Sequence, residues 1–210
     1  MEKKVKKGFI SMIGDSILKP ISSVESNAAT LKNPKDTFIF AGIIAVAITV
    51  CKLITTMLST IFYKQYDFWT QKYSWNISFS NLDSLDYVNL IFVNLLQYAI
   101  VILGIAGIYY LATLVLKKDT TYVKTLGIVS LAVIPNIVLS FVGSILGIIW
   151  SPIATFIGAA AVAYTILILT LSLKNILKIN DFDKLIFFNV IIVAILKVLE
   201  YIVFSSKLFS

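Results

Sequence analysis

The sequence contains no histidine and no arginine, and Cys51 is its only cysteine. The commonest general base is therefore missing, and no guanidinium group can clamp a phosphate. One cysteine excludes a disulfide bond within the chain and removes the usual ligands of a zinc site. No HExxH segment, glycine-rich phosphate loop or pair of carboxylates inside an apolar run is present. We therefore expect no enzymatic activity, no cofactor and no bound metal ion.

Charged residues are also scarce, at 14% of 210 positions, whereas 59% are hydrophobic and the mean hydropathy is +0.92. Segments this apolar need lipid around them, so an integral membrane protein is predicted. The formal charge of +7 comes from lysines that flank apolar runs rather than from one basic face, so nucleic acid is not an expected partner. The bias to lysine, isoleucine and asparagine without arginine indicates an AT-rich, bacterial genome.

The longest charge-free stretch, Thr125–Leu173, organises the chain. It has no acidic or basic residue over 49 positions, and Lys124 and Lys174 stand at its two ends. One membrane-spanning helix needs about 20 apolar residues, so the stretch is long enough for two spans and a turn. Gly143–Gly147 is expected to form the turn, and Ser151–Pro152 suits the start of the next helix. The sequence thus predicts a transmembrane hairpin.

Three further apolar runs complete the predicted fold. We expect an all-α, polytopic membrane helical bundle of five transmembrane helices, in which a cytoplasmic leader at residues 1–36 precedes a membrane domain at residues 37–206. The predicted spans are 38–63, 87–116, 122–142, 152–173 and 185–206. The one sizeable loop, residues 64–86, is rich in aromatic side chains, which favours an interfacial belt lying on the membrane over a projecting domain.

The leader begins with four lysines in its first seven residues, followed by apolar residues at helical spacing from Phe9 to Val24. This pattern predicts an N-terminal interfacial amphipathic helix whose lysines face anionic lipid headgroups. A signal peptide is an alternative, but Asp15, Lys19 and Pro20 interrupt the continuous apolar core that it would need. A solvated tail with chance apolar residues is the third interpretation.

The orientation follows from the uneven distribution of lysines. If the amino terminus is cytoplasmic, the cytoplasmic side carries 13 lysines and the outside carries 3, while Lys52 and Lys197 lie within spans. Positive charge is retained on the cytoplasmic side of membrane proteins. We therefore expect a multi-pass protein of the plasma membrane with its amino terminus in the cytoplasm and its carboxyl terminus outside.

Polar residues recur at one predicted depth of the bundle. When sequence offsets are converted at about 1.5 Å per residue, six side chains fall at one level in the outer half of the membrane. They are Lys52, Asn94, Gln97, Asn136, Lys197 and Glu200. In one interpretation they line a shared polar cavity open to the outside. In the other, the lysines reach the interface separately and Glu200 pairs only with Lys197.

Small residues mark the fourth predicted span. Ala154 and Gly158 have the small-xxx-small spacing that lets membrane helices approach closely. Both packing within the chain and a dimerisation face are open interpretations. Gly143 and Gly147 have the same spacing, but the predicted bend accounts for them.

The third predicted span carries a family pattern. Its residues are Tyr122-Val123-Lys124, then Gly127, then Ile134-Pro135-Asn136. Together with the basic leader and the five spans, this pattern resembles the Yip-domain family of Rab-interacting membrane proteins and its bacterial relatives, over roughly Pro34–Phe204. The aspartate-leucine-tyrosine-glycine-proline motif of eukaryotic members is absent. The resemblance therefore implies an accessory membrane protein, without the GTPase-binding role of those members.

Two functions follow as alternatives. The first is an accessory or scaffold protein that partners another membrane protein, for example a transporter complex, or protects the membrane against toxic peptides. The second is a small transporter or permease that uses the polar site in the outer half of the bundle. Pro135, expected to kink its helix at mid-membrane, favours transport, whereas the lack of repeated halves disfavours it.

Overall fold

The computed structural model describes residues 8–31, 33–67 and 71–179, together with 183–184, 186–187, 189–192 and 194. Its elements in chain order are α1 (Phe9–Leu18), α2 (Pro20–Asn27), α3 (Pro34–Ile61), β1 (Phe62–Asp67), β2 (Lys72–Ile77), a 3-10 helix (Phe79–Ser84), α4 (Tyr87–Val115), α5 (Tyr122–Ile149) and α6 (Ser151–Leu177). The described positions between 183 and 194 are also helical. The rest of the predicted fifth span, including 195–206, lies outside the described residues.

Four helices of the described chain, α3 to α6, are long and apolar enough to cross a membrane. They are 27 to 29 residues long, and their most apolar windows have mean hydropathies of 2.2 to 2.4. Their outward side chains include Phe92 and Phe156, which are 67% and 82% exposed. Apolar surface of this kind needs lipid or another protein against it. A polytopic membrane helical bundle is therefore confirmed, and the count of five spans stays a prediction.

Helix α5 forms the centre of the bundle. It packs against α1, α2, α3, α4 and α6, and every residue from Thr125 to Ala132 is buried. A helix that is apolar on all sides is expected in such a position, because it has no polar face to turn outward. Helix α4 is free of charge over its whole length, so the contacts of α5, rather than its composition, identify it as the centre of the bundle.

The starts of α3 and α4 follow local sequence signals. Asn33 caps α3, since its side-chain oxygen accepts a hydrogen bond from the N–H of Lys35 at 3.2 Å, and Pro34 follows as the first helical residue. Asp86 caps α4 by accepting from the N–H of Asn89 at 3.0 Å. These side chains satisfy N–H groups that the first helical turn leaves without a backbone partner.

The turn between α5 and α6 lies at Trp150. Helix α5 continues through Gly143 and Gly147, beyond the predicted end of the span, so the turn predicted at these glycines is wrong. They permit close packing instead. A Cβ atom built on Gly147 would stand 2.5 Å from the Cβ of Ala154, and one on Gly143 would stand 2.9 Å from Cγ2 of Ile157. Glycine costs a helix only about 1 kcal/mol, which close packing of membrane helices offsets.

The loop predicted at residues 64–86 forms a β-hairpin and a 3-10 helix, which corrects the all-α expectation. Strands β1 and β2 pair antiparallel, with Phe62 opposite Ile77 and Lys64 opposite Trp75. These four side chains share one face of the hairpin, because alternate residues of a strand point to opposite sides. Aromatic residues favour strands as well as membrane interfaces, and the interfacial interpretation alone overlooked this.

The leader forms two helices rather than the single amphipathic helix predicted. The break lies at Lys19 because it precedes Pro20, which lacks an N–H and disfavours helical backbone before it. Both helices pack against α5, and α2 also contacts α6. Met12 and Val24 thereby join the common hydrophobic core. Residues 1–7 lie outside the described residues, so their contact with anionic lipid stays a prediction.

The two ends of the bundle differ in charge. The basic end is the one where α3 and α5 begin, α4 and α6 end, and the leader packs. Its described lysines are Lys19, Lys35, Lys117, Lys118, Lys124, Lys174, Lys178 and Lys184. The hairpin end, where β1 and β2 lie, carries Lys64 and Lys72 among the described residues.

Candidate functional site

The six residues predicted to form an outer polar layer are only partly described. Lys52 is exposed on α3, whereas Asn94 and Gln97 on α4 and Asn136 on α5 are half-buried. Lys197 and Glu200 lie outside the described residues. A network that includes these two residues stays a prediction.

The two asparagines form hydrogen bonds within their own helices. Asn94 Nδ2 donates to the carbonyl oxygen of Leu90, and Asn136 Oδ1 accepts from the hydroxyl of Ser140 at 2.9 Å. Such local bonds lower the cost of keeping an amide in an apolar environment. In the described part of the chain, no hydrogen bond joins any two of the predicted polar residues. Each of the two asparagine side chains is therefore hydrogen-bonded within its own helix.

Pro135 lies in the middle of α5, which is helical from Tyr122 to Ile149. Since proline has no N–H, Pro135 cannot donate to the carbonyl of Leu131 four residues earlier. Both residues are buried. The structure therefore places the predicted helix interruption in the packed centre of the bundle, and the predicted kink itself stays a prediction.

The structure separates the two small residues predicted to pack as a pair on α6. Ala154 lies directly against α5, at the Gly147 contact. A Cβ atom built on Gly158 would meet no atom within 4 Å. Ala159 and Ala163, on the same stretch of α6, are exposed. One residue of the pair thus packs within the chain, whereas the other has open space beside it and lies next to lipid-facing positions that include Ala159, Ala163 and Phe156.

A buried polar triad near the basic end was not predicted. Its members are Tyr109 on α4, Thr170 on α6 and Asn189 on the described helical segment that follows α6. The Tyr109 hydroxyl donates to Asn189 Oδ1 at 2.5 Å, and Asn189 Nδ2 donates to Thr170 Oγ1 at 2.7 Å. All three residues are buried. A depth calculation could have found these three residues, because each lies about 10 Å from the basic end when sequence offsets are converted by the helical rise.

The leader contains a second buried polar cluster, which joins α1 to α2. Ser16 and Ser23 share a hydrogen bond of 2.8 Å between their hydroxyls, and Asn27 Nδ2 donates to Ser23 Oγ at 2.9 Å. These bonds explain how three polar residues can be buried in an interface that the apolar pattern alone would not predict. The cluster fixes the angle between the two leader helices.

At the hairpin end, Lys64 joins the hairpin to the bundle. Its ammonium group donates to the carbonyl of Ile149, the last residue of α5, at 3.2 Å, and lies 4.8 Å from the centre of the Trp75 ring. A cation at the carboxyl end of a helix is favourable, as is a cation over an indole ring. An apolar cavity of about 390 Å³ lies beside this contact, between the hairpin and the ends of α3 and α5.

The chemistry of these groups is that of packing and hydrogen bonding. Among the described residues, no group of three or more histidine, cysteine, aspartate or glutamate side chains could hold a metal ion. The hydrogen bonds of Tyr109 and Lys64 join separate elements, and one cavity lies at each end of the bundle.

Comparison with known families supports the resemblance noted in the sequence. The chain matches the Yip1 domain over residues 17–202. This region includes α2 of the leader, the β-hairpin and all four long helices. Comparisons with curated proteins and with solved structures give no match. Because the match covers most of the 210 residues and the fold is an apolar helical bundle, the chain belongs to the Yip1-domain family of membrane proteins.

Proposed function

We propose that the protein is an accessory or scaffold protein that binds another membrane protein through the lipid-facing side of α6. The observation that carries this proposal is the outward side of α6, where the small residues Ala159 and Ala163 are exposed one helical turn apart, beside the exposed ring of Phe156. A surface of small side chains lets a second helix approach closely, and such approach drives association in lipid, where the hydrophobic effect between helices is absent.

The satisfied polar groups support the same proposal. A transporter needs a substrate site at mid-membrane, where polar groups from different helices converge. Asn94 and Asn136 instead bond within their own helices, and Lys52 is exposed. Gly147 packs closely against Ala154 of α6 beside the turn. We therefore propose neither transport nor a catalytic step for the described bundle.

We further propose that the basic end faces the cytoplasm of a bacterial cell and that the segment from residue 183 onward forms a fifth span. The described lysines concentrate at the basic end, as cytoplasmic surfaces of membrane proteins require. The described positions from 183 to 194 are helical, and the apolar sequence continues beyond them. An odd number of spans then places the carboxyl terminus outside.

Site-specific photo-crosslinking in the native membrane tests this function. A photoreactive residue is introduced at Ala159 on α6 and, as a matched control, at Leu111, which is 60% exposed on α4. We expect a protein adduct of one defined mass from position 159 and only lipid adducts from position 111. Lipid adducts alone at both positions would contradict a partner at α6.

The same contact is tested by blocking the surface. Gly158→Leu should abolish the adduct formed from position 159, because the added side chain fills the space that a partner backbone would occupy. Gly42→Leu is the matched control, since a Cβ atom at Gly42 on α3 also meets nothing within 4 Å. An adduct that survives Gly158→Leu would place the partner elsewhere.

A further inference from the structure

A second cavity, of about 380 Å³, lies at the basic end between the leader and the bundle. It is lined by Glu25, Ala28, Ala29, Thr121, Lys124 and Ile176. These residues belong to α2 and the segment just after it, to the start of α5 and to the last turn of α6. Since the spans end at this level, the cavity lies at the depth of lipid headgroups.

The cavity contains one group of each charge. Glu25 supplies a carboxylate and Lys124 an ammonium group, and in the described part of the chain no ion pair joins them. Two opposite charges that line one cavity without forming an ion pair are complemented by a zwitterionic ligand, because such a ligand can form an ion pair with each of them. A purely anionic ligand would leave the carboxylate without a counterion.

Hydrogen bonds hold the Glu25 side chain and the Lys124 backbone in place. Asn175 on α6 donates from Nδ2 to Oε1 of Glu25 at 2.6 Å, which leaves the second carboxylate oxygen for a ligand. The Thr121 hydroxyl accepts from the backbone N–H of Lys124 at 3.3 Å and so fixes the first turn of α5. Fixed groups lose less entropy when a ligand binds.

We propose that this cavity binds the headgroup of an ethanolamine phospholipid, with the phosphate against Lys124 and the primary ammonium against Glu25. The N–H groups of a primary ammonium donate hydrogen bonds to a carboxylate, which a trimethylated choline cannot do. Quaternary ammonium groups are bound by aromatic cages. The six lining residues include no aromatic side chain. Ala28, Ala29 and Ile176 form the apolar wall that would contact the glycerol and the start of the acyl chains.

This site goes beyond the proposed partner contact, which lies on the lipid-facing side of α6. A lipid in this cavity would contact α2, α5 and α6, so lipid binding should stabilise the packing of the leader against the bundle. Because it depends on the basic end alone, failure of the crosslinking at Ala159 would leave it unaffected.

Native mass spectrometry of the purified full-length protein with defined lipids tests the proposal. We expect phosphatidylethanolamine to be retained in preference to phosphatidylcholine and phosphatidylglycerol. Glu25→Gln keeps an oxygen that accepts from Asn175 but removes the charge, so it should reduce the preference for ethanolamine over choline roughly tenfold or more. Lys124→Met should weaken binding of all three lipids.

Matched controls separate this site from general lipid binding. Lys117→Met removes an exposed lysine of the neighbouring connector that does not line the cavity, and it should leave the ethanolamine preference unchanged. Equal retention of ethanolamine and choline lipids by the wild type, or an unchanged preference in Glu25→Gln, would overturn the proposal. Thermal melting of each variant without added lipid shows whether the fold is retained, and Lys124→Gln supplies a second substitution if Lys124→Met unfolds.

The source of the zwitterion is tested with a soluble headgroup. Glycerophosphoethanolamine carries the same phosphate and ammonium groups without acyl chains. We expect it to compete only weakly with the intact lipid, because it lacks the apolar contacts at Ala28 and Ile176. Competition as strong as that of the lipid would assign the cavity to a soluble zwitterion and overturn the lipid proposal.

Discussion

Replacing Gly147 by alanine should push α5 and α6 apart. The new Cβ atom would stand 2.5 Å from the Cβ of Ala154 and 3.6 Å from its Cα. Carbon atoms in good contact lie about 3.5–4.0 Å apart, so the helices must separate by about 1 Å. Overpacking of this kind costs about 1–3 kcal/mol, whereas alanine regains up to about 1 kcal/mol of helix propensity. We expect the free energy of unfolding in mixed micelles to fall by about 1–2 kcal/mol.

Three further variants decide whether this reasoning holds. Gly158→Ala, which meets no atom within 4 Å, should be neutral or stabilising by up to about 1 kcal/mol. Gly143→Ala should cost less than Gly147→Ala, because its new Cβ atom would stand 3.0 Å from the Cβ of Ile157, whereas the new Cβ atom at Gly147 would stand 2.5 Å from the Cβ of Ala154. Adding Ala154→Gly to Gly147→Ala should restore most of the lost stability. If Gly147→Ala is as stable as Gly158→Ala and the double variant shows no coupling, the glycines do not pack as described.

The remaining predictions concern topology, the buried triad and the leader. In a Cys51→Ser background, a cysteine at Ser78 should be labelled from outside and one at Thr120 only after permeabilisation, and the reverse pattern would invert the proposed orientation. Tyr109→Phe leaves a buried amide oxygen without its donor and should lower the free energy of unfolding by about 1–3 kcal/mol, whereas no loss would show that water replaces the donor. Leu31→Ala should cost about 2–5 kcal/mol if the leader is packed, and nothing measurable if it is a free tail.

The charge pattern predicted the membrane bundle, but not which helix lies at its centre. The bundle follows from a physical requirement that acts along the sequence, because apolar segments of sufficient length need lipid. The helix caps at Asn33 and Asp86 also depend on residues adjacent in sequence. Local chemistry therefore determined the existence and most boundaries of the long helices.

The turn and the leader could not be predicted in the same way, because they depend on contacts between distant residues. A glycine pair suits a bend or a close helix contact equally, and only the position of Ala154 decides between them at Gly147. The leader was expected to lie on lipid, but Leu31 is buried. Its Cβ would stand 3.2 Å from a Cβ atom built on Gly127 of α5, so this part of the leader packs against protein. Apolar spacing alone does not specify whether lipid or protein covers a helix face.

The outer polar layer shows the same limit for a candidate site. Depth calculated from helical rise placed Asn94 and Asn136 at one level, but depth says nothing about direction around the helix. Each asparagine instead bonds to its own helix. The triad centred on Asn189 also depends on direction around the helix, because its three helices orient the side chains of Tyr109, Thr170 and Asn189 toward one another.

The size of the complex in native membrane is the most direct test of the accessory role. The wild-type protein is extracted with a polymer that retains surrounding lipid, and its mass and composition are measured. We expect a complex larger than one chain that contains a second membrane protein in fixed ratio and loses it in Gly158→Leu but not in Gly42→Leu. A lone chain or homo-oligomer that moves a solute across liposomes without any partner would contradict the account and favour a transporter.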